Sequence, residues 1–147
     1  MSSKKNKIPR GIRNNNPLNL RVGNNWIGEV SEPTDPAFEQ FKEMKWGVRA
    51  AFIVMKNYIN RHKCNTVAKL ISRWAPNNEN NTKKYIETVC NRTGLMKNDV
   101  LNFDNQAQMM SLFSAMCWVE NGQSISVDDI YLGYLYAKGV PEAMTRV

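Results

Sequence analysis

Between residues 10 and 41 the chain is too rich in Asn, Gly and Pro to begin as a helix, and this restricts the fold more than any other feature. Asn14, Asn15, Asn16, Pro17, Asn19, Gly23, Asn24, Asn25, Gly28, Pro33 and Pro36 all fall there. These residue types favour turns or compete with the helical ladder for backbone hydrogen bonds. Short apolar alternations (Leu18, Leu20 and Val22; then Trp26; then Phe38 and Phe41) suit small strands about a Gly23-Asn24 turn. The expectation is a small N-terminal β-hairpin, polar and bearing Trp and Asn, of the kind that lines a groove. An irregular lead-in without chemistry is the other reading of the same residues.

From Gly47 the period changes. Val48, Ala51, Phe52, Met55 and Ile59 recur at steps of three and four and predict one helix to about residue 61. A second helix is expected over 66–74, with Val67, Leu70, Ile71 and Trp74 inward and Asn65 as N-cap. Pro76 stops it, and 77–81 reads as a polar loop. A third helix spans about 82–92, burying Tyr85, Ile86 and Val89 and stopping at Gly94. Asp104 is expected to cap a longer helix to about residue 119, ended by Asn121-Gly122. Ser126 opens a last helix, with Asp128 and Asp129 favourably placed in its first turn. The fold class is therefore mainly α (α+β). One domain is expected over 10–147, behind a flexible basic arm at 1–9. A chain of 147 residues, 42% hydrophobic and 22% charged, can bury a single core without staples.

No apolar run approaches the roughly 18 residues that a bilayer span needs. Ser2-Ser3-Lys4-Lys5-Asn6-Lys7 is basic with no apolar segment behind it, so no signal peptide is expected. On that reading the chain is made in the host cytoplasm, and any work on a cell wall needs a carrier. Cys64, Cys90 and Cys117 match no zinc spacing and read as reduced packing residues, so no metal and no cofactor are expected. His62 lies between Arg61 and Lys63 at a helix end, a solvated last turn rather than a partner for a nucleophile. A net charge of +7 points to an anionic partner: nucleic acid, a membrane surface or a wall polymer. The cations are spread along the chain without an aromatic-interleaved recognition pattern, which sets nucleic acid behind the others.

Several blocks carry a family resemblance. Gly11 through Arg21, Trp26-Ile27-Gly28, Asp35 to Phe41 and Gly47-Val48-Arg49-Ala50 stand in the order seen in a phage-type virion protein family. Arg73-Trp74-Ala75-Pro76, Glu79 to Ile86 and Glu120-Asn121-Gly122 extend the likeness, which covers about 10–137. Members of that family are described as virion structural proteins related to lysozyme-like peptidoglycan hydrolases. The resemblance implies a lysozyme-like single domain. It also implies peptidoglycan glycan strands and other virion or tail proteins as partners, and a place in the virion with action on the bacterial cell wall in the periplasm.

Cleaving a glycosidic bond takes a carboxylic acid that stays protonated near neutral pH, and usually a second carboxylate or an oriented water. Glu120 is the first catalytic candidate. It ends an apolar helix after Trp118-Val119, where burial beside Trp118 and the negative helix end would raise its pKa. Its Glu-Asn-Gly is similar to the Glu-Ser-Gly of lytic transglycosylases, although in those enzymes the glutamate helix comes first. An ordinary charged residue at a helix end is the plain alternative. Asp35 and Glu29 are candidates for the second carboxylate, against a simple role in turns. Trp26, Trp74 and Tyr85 are candidate sugar-stacking aromatics, with core packing the competing role for Trp74. Asn15, Asn16 and Asn19 are candidates to bond N-acetyl and hydroxyl groups. Arg49 and Arg73 are candidates to brace the hairpin. The expected function is peptidoglycan cleavage by a muramidase or lytic transglycosylase carried in a virion or injection device. The alternative is a non-enzymatic virion or tail component that keeps the fold.

Overall fold

The helical period that sets in near Gly47 becomes α2, Met44–Asn60, in the computed structural model, which describes residues 7–76 and 78–145. It begins a few residues before the expected start, and its Val48, Ala51, Phe52, Met55 and Ile59 are buried as the period requires. A single turn, α1 (Arg10–Arg13), precedes it. Next comes α3, Val67–Trp74, capped by Thr66, whose hydroxyl accepts from the Lys69 amide, and not by Asn65. The fourth helix, α4, Glu79–Thr93, starts earlier than its apolar pattern suggests, because Asn78 Oδ1 accepts from the Asn80 and Asn81 amides. Asn105, not Asp104, caps α5, Gln106–Asn121. Asp104 instead takes a 2.8 Å bond from Lys138. Last come α6, Val127–Ala137, capped by Ser126, and a 3-10 turn at Glu142–Met144.

One apolar cluster runs from Leu18 to Ala137 and draws on α2 to α6. Phe52 is at its centre, with ring centroids 4.4 Å from Phe113, 5.3 Å from Tyr134 and 6.1 Å from Phe103. The main helix pairings are α2 with α6 and α4 with α5. Ala107 is exposed at the start of α5. No helix among the described residues is long and apolar enough to cross a membrane. Cys117 is buried and Cys64 and Cys90 half-buried, all three as free thiols.

The β-hairpin expected about Gly23-Asn24 does not form. In its place stands an irregular wall, touched by isolated antiparallel bridges at Arg21–Phe38 and Glu29–Phe41. The reason lies in the asparagines. Asn15 and Asn19 adopt φ of 52° and 55°, a left-handed backbone that Asn tolerates and that breaks strand alternation. Asn16 then supplies bonds a strand partner would otherwise give. Its Oδ1 accepts from the Leu20 amide at 2.9 Å, and its Nδ2 donates to the carbonyls of Leu20 and Glu39 at 2.9 and 3.0 Å. The wall meets α2 backbone to backbone at Gly47, where a Cβ would collide with the Asn15 carbonyl. Of the basic arm expected at 1–9, residues 1–6 lie outside the described residues. Pro9 belongs to the fold, since its carbonyl accepts from the Arg13 amide at 2.9 Å.

Candidate functional site

Three parts of the chain meet at one carboxyl group. Glu120 stands on the last turn of α5. Its Oε1 accepts from Asn19 Nδ2 at 2.9 Å, and its Oε2 accepts from the Tyr85 hydroxyl at 3.1 Å. Pairing of α4 with α5 brings Tyr85 there, and the left-handed turn at Asn19 sends its amide inward. The next residue fixes the register between wall and helix. Asn121 Nδ2 donates to the carbonyls of Pro17 at 2.8 Å and Cys117 at 3.1 Å. Gly11 permits this approach, since a Cβ there would press on Asn121 Oδ1 and on the Asn16 carbonyl.

Burial lifts the Glu120 carboxyl above the ordinary glutamate range, against the bonds from Asn19 and Tyr85, which favour the ionised form. Burial, followed by the Glu120 charge, pushes the Tyr85 phenol well above its ordinary value, so it stays a donor. Trp118 plays no part in covering the acid. It is exposed on the outside of α5, with Arg92 stacked 4.0 Å over its ring. Glu120 instead opens on a hollow of about 360 Å³, whose walls include Leu18, Asn19, Arg21, Phe38 and Trp74. Trp74 both packs against the core and lines this hollow.

The other candidates divide sharply. Asn19 and Tyr85 lie at the acid, though Tyr85 is buried and serves as a hydrogen-bond donor, not as a stacking plate. Trp26 lies on the same side of the molecule but lines a different hollow, with Tyr58 and His62. Asn15 donates to the Phe41 carbonyl at 3.0 Å, and Asn16 is fully buried, so the amides of both are engaged in the wall. Asp35 lies outside the Glu120 hollow. Its carboxylate takes both guanidinium arms of Arg10 at 2.7 Å, Asn14 Nδ2 at 2.9 Å and the amides of Ala37 and Phe38. The Arg10 guanidinium holds it well below the usual carboxylate range. Glu29 also stands apart from Glu120, with Oε2 accepting from the Trp26 amide at 2.7 Å. Arg49 and Arg73 form no ion pair among the described residues.

One acid escaped the sequence reading. Glu39 is 4% exposed, and burial followed by its neighbour Glu29 pushes it up to about 7. A signal was present: Glu39 is two residues from buried Phe41 and so shares its inward face in an extended segment. Among the described residues no group of three or more His, Cys, Asp or Glu is arranged to hold a metal ion.

Fold and site together define a small helical protein with a half-buried acid in a polar, aromatic-edged groove. Protein P5 of Pseudoalteromonas phage PM2 is 37% identical over 134 residues, an alignment that takes in 88% of this chain and 82% of the phage protein. The chain belongs to the family of that bacteriophage protein, which agrees with the phage side of the resemblance drawn from sequence. The name of the relative states no activity. No family model matches the chain.

Proposed function

We propose that this is a bacteriophage virion protein whose groove cleaves peptidoglycan glycan strands, with Glu120 as the general acid. The observation that carries the reading is the Glu120 carboxyl, half-buried, raised by the loss of solvent around it, and opening on a hollow edged by Trp74, Asn19 and Arg21. The mainly helical plan with a groove beside an irregular wall fits a lysozyme-like domain. Protonated Glu120 gives its proton to the oxygen of the leaving sugar. The carboxylate that results is met by the donors on Asn19 and Tyr85. Asn19 Oδ1 is buried and accepts no hydrogen bond. A half-turn of that amide would present an acceptor to the protonated acid, so one side chain can serve both protonation states.

Asp35 and Glu29 lie outside the hollow, which favours a reaction with one carboxylate. In a lytic transglycosylase the substrate's own hydroxyl attacks the anomeric carbon and returns its proton to Glu120, closing an anhydro ring. No second protein carboxylate is then needed. A non-enzymatic virion component is the second reading, and kinship with a phage protein of no stated activity supports it better than it supports cleavage. Turbidity loss of purified peptidoglycan, with masses of the released products, separates the two. The expected result is cleavage by wild type that falls about 10²–10⁴-fold in a folded Glu120→Gln variant, with anhydro-sugar products. Wild type inert on several wall types would make the structural reading the better one.

A further inference from the structure

The groove does not end at the acid. The hollow around Glu120 shares Asn19, Arg21 and Trp74 with a second of about 280 Å³. This in turn shares Leu20, Arg21 and Tyr58 with a third of about 380 Å³ that reaches Trp26 and His62. Arg21 alone lines both ends and the middle with a charged side chain. An aromatic row follows the same path: Trp74 and Tyr58 meet edge to face at 5.8 Å, and Tyr58 and His62 at 6.1 Å.

Two guanidiniums rest on Phe38, and only one of them is neutralised. Arg10, 4.4 Å from the ring centre, is taken by Asp35. Arg21, at 4.7 Å, forms no ion pair among the described residues. No carboxylate lines the second or third hollow, and Arg73 adds a further cation 4.6 Å over Tyr58. A groove for neutral sugars alone would have no use for an uncompensated guanidinium set over Phe38 at its midpoint. A planar, oriented fork of donors matches a carboxylate.

We infer that the arm from Arg21 to Trp26 and His62 is a subsite for the carboxylates of the stem peptide borne by the strand that Glu120 cuts. The inference rests on the peptidoglycan reading above. Because Arg21 also lines the hollow of the acid, the anion it pairs with must be tethered close to the scissile bond. A stem peptide on the glycan strand meets that condition, whereas a separate phosphate polymer does not.

The test is a binding titration with the full-length Glu120→Gln chain, followed by tryptophan fluorescence at low salt. Its ligands are soluble glycan strands with stem peptides, the same strands stripped of peptide by an amidase, which leaves a lactyl carboxylate on each muramic acid, and an uncharged chitin oligosaccharide. Adding Arg21→Gln is expected to weaken binding of the peptide-bearing strand about tenfold and to weaken the stripped strand and the chitin oligosaccharide by much less. Arg21→Lys, which keeps the charge without the fork, should recover part of the difference. Equal binding of bearing and stripped strands, unmoved by Arg21→Gln, overturns the inference and leaves the cleavage reading standing. No binding to any strand overturns both. Tighter binding of a glycerol-phosphate polymer, lost in Arg21→Gln, would assign the arm to a phosphate polymer and overturn the stem-peptide assignment.

Discussion

The two sides of the groove are built by opposite means. Asn14, Asn16 and Glu39, three of the four buried polar residues among those described, lie in the irregular wall. The fourth, Asn121, is at the helix end that touches it. From Val48 to the end of α6 every other buried side chain longer than glycine is apolar or a tyrosine. The bundle is shaped by packing, which has no preferred direction and draws on many contacts at once. A few directional hydrogen bonds shape the wall, each of which either forms or leaves a stranded polar group. The acid comes from the packed side, and one of its two partners comes from the bonded side.

Breaking the packed side should cost most. Phe52→Ala removes a ring that touches Phe103, Phe113 and Tyr134 and is expected to destabilise the chain by about 3–5 kcal/mol. Urea unfolding should show that loss, and hydrogen exchange should quicken in all of α2 to α6. A cost below about 1 kcal/mol would mean that the centre of the core lies elsewhere.

Asn16→Ala attacks the bonded side. It strands the Leu20 amide and the Glu39 carbonyl and takes one of two donors from the Leu20 carbonyl, which keeps the Glu39 amide, at an expected cost of about 2–3 kcal/mol. Exchange should quicken over 18–41 while α5 stays protected, and any glycan binding should weaken with it. Uniform loosening of wall and bundle would erase the distinction between the two sides.

The smallest effect sharpens the comparison through pH. Folded Glu39 holds its proton to about 7, whereas an unfolded glutamate releases it near 4.3. Over that interval the folded state binds more protons, so stability is greatest below it and declines as pH rises toward 7. Asp35 acts in the opposite sense and outside this window. Its lowered pKa favours the folded state above about pH 4, and that contribution fades as the medium becomes more acidic. Between pH 5 and 8 the wild-type Tm should fall by about 2–4 °C, and Glu39→Gln should flatten the slope. Parallel curves for the two proteins would remove Glu39 from the account.

The packed side was open to reading in the sequence and the bonded side was not. Val48, Ala51, Phe52, Met55 and Ile59 announce α2 because burial of a helix face repeats along the chain, and a repeat survives without a fold. Asn16 announces nothing comparable. Its amide could bond a sugar or a backbone with the same groups, and only the tertiary path decides which. Asp35 could be read as a second carboxylate or as part of its own turn; the turn bonds to Ala37 and Phe38 form, and the pairing with Arg10, 25 residues away, is what the sequence did not announce. Glu120 was legible as an acid from its place at the end of an apolar helix. Its shielding by Asn19 and Tyr85, and the exposure of Trp118, depend on contacts between distant segments. Helix starts were misplaced for a smaller reason: neighbouring residues such as Asn65 and Thr66, or Asp104 and Asn105, can each cap, and sequence does not rank them.

Asn19 and Glu120 are 101 residues apart, and this separation bears on how the protein could be divided. The connector between α4 and α5 lies between them. A cut there would leave the wall, Phe38, Trp74 and Tyr85 on one fragment, and the Glu120 carboxyl on the other. Neither fragment would hold the carboxyl together with its two donors. Complementation of the two pieces would restore that contact only when the packed face of α5 finds α4 again, so its return would report reassembly directly.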